Sequence, residues 1–274
     1  MIDLHIHSNL SDGDNSIFEL IEELKRKKIE LFSITDHDSL ESIKILEDIS
    51  NITYIPGVEM SSASDKVKMH ILGYGINYDS NLKKTCDFIK NTRKELVLDI
   101  LEDLIKNGYV FKDSDLNHFY NNDSSYQGKV EIAKYLVKNG YSSSVNKAFN
   151  EILGKYKIGN KIRKDAELVI SEIKESNGIS ILAHPFEIVR KQDVDIDKVI
   201  DKLVYYGLDG VEVFTTKHNM DETKYIYELC KEKNLLISGG SDYHGPLTKP
   251  NINLGDSVKG GEISVKIKEK RIKH

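Results

Sequence analysis

Ile2-Asp3-Leu4-His5-Ile6-His7 is the stretch from which the fold can be read. Apolar and polar residues alternate in it. Ile2, Leu4 and Ile6 point one way; Asp3, His5 and His7 point the other, which is the period of a β-strand. The predicted strand ends with two imidazoles on one side, close enough to chelate a single ion. Ser11-Asp12-Gly13 follows as a turn, in which Asp12 and Asp14 compete as the structuring carboxylate.

Working outward, Ile17, Leu20, Ile21 and Leu24 recur at helical spacing. A second strand is expected over 31–35. A second helix is expected over 40–49, with Ser39 as its N-cap. Strands over 53–58 and 68–74 come next. Short strands alternating with helices predict α/β packing with parallel strands. The character changes near residue 79. A long helical pattern covers 81–106 and stops at Asn107-Gly108. A polar stretch fills 113–127, and helices are expected over 130–138 and 144–153. No strand is needed there, so 79–164 reads as a helical insertion between an N-terminal part, 1–78, and a C-terminal part, 165–274. In the latter, helices are expected over 166–176, 196–206 and 221–233, and strands over 179–183, 210–215 and 235–238.

The 274 residues are 39% hydrophobic and 30% charged, an ordinary soluble composition that allows one domain with an insertion. The net charge of −5 argues against a non-specific nucleic-acid binder. Residues 259–274 are locally basic (Lys266, Lys268, Lys270, Arg271, Lys273) and read as a solvated tail or final helix. Cys86 and Cys230 lie among apolar residues, without a Cys-x-x-Cys pair, so they read as buried small hydrophobes. Metal chemistry would then rest on nitrogen and oxygen donors. No signal peptide and no membrane-spanning run is expected. The expectations are therefore a cytoplasmic location, no membrane association and no obligate protein partner.

Several further residues share the position of His5 and His7 at a strand end. His37 sits between Asp36 and Asp38, carboxylates that could orient its ring; Asp38 could equally serve a helix N-terminus. Glu59 follows Pro56-Gly57-Val58, where its two oxygens could bridge two ions. His70 lies in an apolar stretch, where a lone histidine is usually a hydrogen-bonded core residue. His184 precedes Pro185, which fixes the chain as it leaves the sheet. Asp242-x-His244 repeats the period-two spacing. Each is modest alone, but their joint occurrence at strand ends is not. The set His5, His7, Asp12, His37, Glu59, His70, His184, Asp242 and His244 exceeds one tetrahedral zinc site. It suits a multinuclear cluster with ions about 3.5–4 Å apart, and so hydrolysis of a phosphate ester. The phosphate-binding loop of nucleotide triphosphatases is missing, and Gly73-x-Gly75 is too incomplete for a dinucleotide site. No organic cofactor is expected.

These pieces in this order resemble the PHP (polymerase and histidinol phosphatase) family: Asp3 to His7, Ser11-Asp12-Gly13, Thr35 to Asp38, Gly57-Val58-Glu59, His70, Leu182 to Pro185 and Gly240 to Gly245. The resemblance implies a distorted (β/α)₇ TIM-like barrel and three divalent ions (Mn, Fe or Zn) at the C-terminal strand ends. It implies that His5, His7, Glu59 and Asp242 hold one ion, that Glu59, His70 and His184 hold a second, and that Asp12, His37 and His244 hold the third. Asp12, His37, Glu59 and Asp242 are then the catalytic set.

Asp12, the insertion, and Gly207 to Phe214 followed by His218 resemble the branch of nucleoside 3′,5′-bisphosphate phosphatases and short-RNA 5′→3′ exonucleases. On that resemblance His218, Arg163 and Lys129 meet substrate phosphate. The chain departs from the branch at Gly128-Lys129-Val130-Glu131-Ile132-Ala133, where Gly-Arg-Pro-His-Ile-Ala is common. Lys offers a point charge in place of a bidentate fork, and Glu131 could repel phosphate. A histidinol-phosphate phosphatase and a non-catalytic phosphate-binding module are the alternative readings.

Overall fold

The computed structural model describes residues 1–121, 128–156 and 159–256. The expected basic tail at 259–274 lies outside them. The chain runs β1 (Ile2–Ile6), α1 (Ile17–Arg26), β2 (Leu31–Ile34), α2 (Glu41–Glu47), β3 (Gly57–Ser64) and β4 (Val67–Tyr74). Helices α3 (Asn81–Lys106), α4 (Asp113–Asn121), α5 (Lys129–Lys138) and α6 (Val145–Lys147) follow, then a π-helical turn, Ala148–Ile152, and α7 (Gly159–Ile162). The remainder is β5 (Lys164–Asp165), α8 (Ala166–Glu175), β6 (Ile179–Leu182), α9 (Pro185–Gln192), α10 (Ile196–Tyr205), β7 (Gly210–Thr215), α11 (Met220–Glu232) and β8 (Leu236–Gly240).

Local chemistry starts and aims the helices. Ser16 and Glu19 form a reciprocal capping box at α1, and Asn219 and Glu222 form another at α11. The carboxylate of Asp195 accepts from the first backbone amides of α10. Helix α1 buries Ile17, Leu20, Ile21 and Leu24 beneath β1 and β2, as its spacing predicts. Helix α2 is shorter than expected and begins after Leu40 without a side-chain cap; Ser39 Oγ only accepts from Glu41 N at 3.4 Å.

The fold is mixed α/β. Strands β1 and β2 pair in parallel, and six strands form a second sheet in the order β5-β3-β4-β6-β7-β8. Isolated bridges join the two: Ile6 with Tyr243, Phe32 with Tyr54, and His37 with Glu59. The expectation of parallel strands fails around β4, which is antiparallel to both β3 and β6. The expected strand over 53–58 runs over Gly57–Ser64 instead. Asp65 and Lys66, both at positive φ, close the β3–β4 hairpin. That backbone suits a two-residue hairpin turn, but neither residue is the glycine that usually signals one. Three helices were not expected: α4, in a stretch that reads as polar, the short α7, and α9, which starts at Pro185. Proline serves at a first helical position because no amide is needed there.

Strict alternation in β1 breaks where its pairing with β2 shifts register between Asp3 and Ile6. Leu4 therefore packs with Ile55, Leu72, Tyr74 and Ile181, whereas Ile6 joins the α1 cluster. Helix α3 spans two cores. Leu82, Cys86 and Ile89 pack against the large sheet, while Val97, Ile100, Leu101 and Leu104 pack with Phe111, Ile132 and Leu136. Both cysteines are buried and free. Among the described residues no helix is long and apolar enough to cross a membrane.

Candidate metal centre

Every expected metal-binding side chain gathers where β1, β2, β3, β4, β6 and β8 leave or carry the sheets. Glu59 is the centre. Its Oε2 lies 3.1 Å from His5 Nε2, 3.1 Å from His7 Nε2 and 3.2 Å from His37 Nδ1. Its Oε1 lies 2.9 Å from both His70 Nδ1 and His184 Nε2. Asp242 Oδ1 faces His5 at 3.6 Å, His7 at 3.5 Å and His244 at 3.5 Å. Asp12 faces His244 at 3.3 Å, His7 at 3.6 Å and His37 at 3.8 Å. Three overlapping groups result: His7, Asp12, His37 and His244; His5, His7, Glu59 and Asp242; and His37, Glu59 and His70.

The donors fit divalent cations. Metal–nitrogen and metal–oxygen bonds of about 2.1 Å give coordination polyhedra with ligand–ligand edges of roughly 3.0–3.4 Å. The spacings around Glu59 match those edges. Moreover, His5 Nε2, His7 Nε2, His37 Nδ1, His70 Nδ1 and Glu59 Oε2 are buried without a hydrogen bond among the described residues. Buried polar atoms rarely lack partners, and this many together fit the ligand set of a divalent cation. His184 and Asp242 hold left-handed backbone at φ 30° and 56°, a conformation that L-residues adopt at a cost and that concentrates at functional sites.

The electrostatics suit ligands. Burial raises the carboxyls of Glu59, Asp12 and Asp242, but the facing imidazoles, and Lys249 for Asp242, outweigh it and hold all three well below the usual range. They are ionised. Burial pulls His7 down, yet the carboxylates of Asp242 and Glu59 push it up to about 9. His5 stands well above its ordinary value because Glu212, Glu59 and Asp242 overcome burial. Burial keeps His37, His70 and His244 below theirs, hence neutral. A cation entering the cluster would displace the protons held by His5 and His7.

A shell of buried carboxylates braces this cluster. Glu212 accepts from His5 Nδ1 and from the His184 amide, both at 2.8 Å. Asp3 takes Ser241 N and Oγ at 2.8 and 2.7 Å, and Gly255 N at 2.8 Å. Asp36 binds Ser8 N, Ser8 Oγ and Ser11 Oγ at 2.6–2.8 Å, so it clamps the loop after β1 and does not orient His37. Asp38 likewise serves no helix. It accepts from Ser61 N and Oγ at 2.7 and 2.8 Å and pairs with Arg93. Sequence reasoning missed Glu212 and Asp3, although a carboxylate inside the apolar runs Val211-Glu212-Val213 and Ile2-Asp3-Leu4 was a usable signal.

A cleft of about 1010 Å³ opens over the cluster. Asp12, His37, Glu59, His70, His184, Asp242 and His244 line its floor, and Arg93, Arg163, Lys129, Lys217 and Lys249 stand in its walls. Arg163 and Lys129, expected to meet substrate phosphate, both line this cleft. Lys129 also donates to Leu153 O at 3.0 Å. His218 is placed differently. Its Nδ1 sits 3.0 Å from Val213 O and its Nε2 accepts from Phe186 N at 3.4 Å, so the ring is occupied and the neighbouring Lys217 faces the cleft. Glu131 caps its own helix through Gly128 N at 3.2 Å. Burial, reinforced by the charge of Asp12, pushes its carboxyl up to about 8, which removes most of its repulsion toward phosphate.

The chain is similar to a phosphoribosyl 1,2-cyclic phosphate 1,2-diphosphodiesterase of Eggerthella lenta, with 26% identity over 89% of this chain and 94% of that protein. It is similar to a 5′-3′ exoribonuclease of Haemophilus influenzae, with 29% identity over 93% of this chain and 96% of that protein. A solved structure from Bifidobacterium adolescentis superposes with a TM-score of 0.83 at 23% identity, covering 94% of this chain and 91% of that one, which establishes the shared fold. A PHP domain family model matches residues 3–176. With the donor cluster described above, these matches make the chain a member of the PHP domain family and a metal-dependent hydrolase of phosphate esters.

Proposed function

We propose that the protein removes phosphate from a small phosphorylated nucleotide, a nucleoside 3′,5′-bisphosphate, or acts on the 5′ end of a short RNA. The observation that carries this reading is a floor of overlapping donor groups open to a cleft with cationic walls. A closed structural site would need only four ligands and no access. In this reading the donor set holds three ions. His5, His7, Glu59 and Asp242 hold the first; Glu59, His70 and His184 the second; Asp12, His37 and His244 the third. When bound, Mn, Fe or Zn would supply Lewis acidity and lower the pKa of water.

The chain's residues do the positioning. Glu59 shares its two oxygens between donor groups. Asp12 and His37 present the outermost donors to the cleft, and Arg163 and Lys129 receive phosphate oxygens from the walls. His218 supports the site through its neighbours. In the same reading, 1–78 and 165–274 form a distorted (β/α)₇ barrel. Residues 79–164 form a helical cap, and the enzyme works in the cytoplasm.

A second reading has one support. The Eggerthella lenta relative is named for a cyclic ribose phosphodiester, and the softened Lys129 matches less demanding phosphate recognition. The test follows inorganic phosphate from adenosine 3′,5′-bisphosphate and histidinol phosphate, mononucleotide from a 5′-phosphorylated oligoribonucleotide, and the ring-opened phosphomonoester from ribose 1,2-cyclic phosphate 5-phosphate, with Mn²⁺ and then with chelator. Chelator-sensitive release from the bisphosphate or the RNA is expected. Release from histidinol phosphate alone would overturn the nucleotide reading.

A further inference from the structure

Two lysines reach the cluster from different segments. Lys249 Nζ lies 2.7 Å from Asp242 Oδ2 and Lys217 Nζ 3.5 Å from the same oxygen. Asp242 is already committed, since its Oδ1 faces His5, His7 and His244. One ammonium would balance one carboxylate; the second is in excess. Glu187, whose carboxylate also feels Lys217, has its oxygens on Lys191 at 2.7 Å and His184 at 3.2 Å. Both lysine side chains keep about a quarter of their surface exposed (25% and 22%) and both line the cleft. Two ammoniums converging on one carboxylate oxygen at the cleft keep further N–H donors that an entering phosphate oxygen can accept.

The positions are fixed, as binding demands. Asp14 accepts from Leu247 N at 2.7 Å, Thr248 N at 3.0 Å and Thr248 Oγ1 at 2.8 Å, which pins the segment carrying Lys249. Thr216 Oγ1 donates to Ser241 O at 2.9 Å, and Arg190 donates to Lys217 O, which pins the segment carrying Lys217.

From this we infer that Lys217 and Lys249 form a paired anion clamp that grips the oxygens of the phosphoryl group under attack, from the side of Asp242. The inference deepens the proposed phosphoesterase reading and rests on it. It adds phosphate recognition from the segments after β7 and β8 to that of Arg163 and Lys129, which line the same cleft. The ammoniums act as fixed positive charge.

The test uses the full chain loaded with Mn²⁺ and two separate variants, Lys217→Met and Lys249→Met. Inorganic phosphate is the probe, followed by titration calorimetry, and bound metal per chain is measured alongside. A charge-assisted hydrogen bond lost from each variant predicts phosphate binding weakened about ten- to hundredfold, with metal content unchanged. Lys217→Arg should recover most of the affinity. Phosphate affinity equal to that of the parent chain in both variants would overturn the inference. So would a loss of bound metal that accounts for the weaker phosphate, because the lysines would then merely hold Asp242. If the parent binds phosphate but hydrolyses no ester, the proposed activity fails while the clamp remains tested by binding alone.

Discussion

Replacing Glu212 by Gln tests how the metal centre is held together without touching a proposed ligand. The Glu212 carboxylate accepts two hydrogen bonds at 2.8 Å, from His5 Nδ1 and from the backbone amide of His184. An amide has one acceptor oxygen and one donor NH₂. The backbone amide of His184 can only donate, so the Gln oxygen must stay with it. The NH₂ then faces His5 Nδ1, which must accept. The ring proton moves to Nε2, the atom that faces Glu59 at 3.1 Å and Asp242 at 3.6 Å. A protonated Nε2 cannot ligate. Outer groups that set the tautomer of a ligating histidine are typically worth ten- to hundredfold in metal affinity, or about 1.4–2.7 kcal/mol. Competition against a chelating dye at fixed pH measures this directly, and excess metal should restore turnover. An affinity within about twofold of the parent would refute the argument, because His5 would then be shown to choose its tautomer without Glu212.

Two further outcomes follow from the geometry and the charges. In Gly240→Ala the new Cβ would lie 2.3 Å from His5 N and 2.4 Å from His5 Cβ, so β8 and β1 must part. The expected cost is about 1–3 kcal/mol, read as a melting temperature lower by several degrees; an unchanged melting temperature would contradict the close approach. In metal-stripped protein, His7 is pushed up to about 9 and His5 is raised. A raised imidazole stabilises fully below its unfolded value of about 6.5 and loses that contribution as pH rises through the folded value. Melting temperature should therefore fall between pH 6.5 and about 9 after chelation, while metal affinity climbs over the same window. A flat or rising profile for the stripped protein would show that Asp242 and Glu59 do not hold those protons.

Much of the site was legible because its donors sit at strand ends, where alternation and punctuation are read most easily. His5 and His7 follow from period two, whereas Asp242 and His244 lie beyond the end of β8, with Asp242 in left-handed backbone, so their spacing matched the pattern without sharing its geometry. The bracing carboxylates were harder. Asp36 and Asp38 flank His37 and invite a role in orienting it, yet their strand-end geometry turns them onto Ser8, Ser11, Ser61 and Arg93. Which backbone amide a carboxylate reaches depends on tertiary placement that local spacing does not encode. The β3 register was missed for a similar reason. Ser61, Ser62 and Ser64 look like a polar loop, but Ser61 is bound by Asp38, and all three are buried because the hairpin packs under helices. The substrate contact expected of His218 came from the branch resemblance; its Nδ1 sits 3.0 Å from Val213 O and its Nε2 accepts from Phe186 N at 3.4 Å, partners that local spacing does not encode.

The shape of the donor cluster separates catalysis from mere metal storage or phosphate binding. A structural zinc site closes four ligands around one ion. Here one glutamate divides its oxygens between His5, His7 and His37 on one side and His70 and His184 on the other. Removing it would strip two of the three donor groups of the ligand they share, a dependence that a storage site has no reason to build. The buried carboxylates beneath, Asp3, Asp36 and Glu212, hold the strand ends rigid through backbone amides, and each is satisfied by hydrogen bonds that offset its desolvation. A passive phosphate-binding module could rely on the lysines and arginines of the cleft alone. Holding this many ionisable side chains dry and preorganised next to a cationic cleft is costly unless the groups stabilise charge that develops during a reaction, and that is the physical ground for reading the site as a hydrolase.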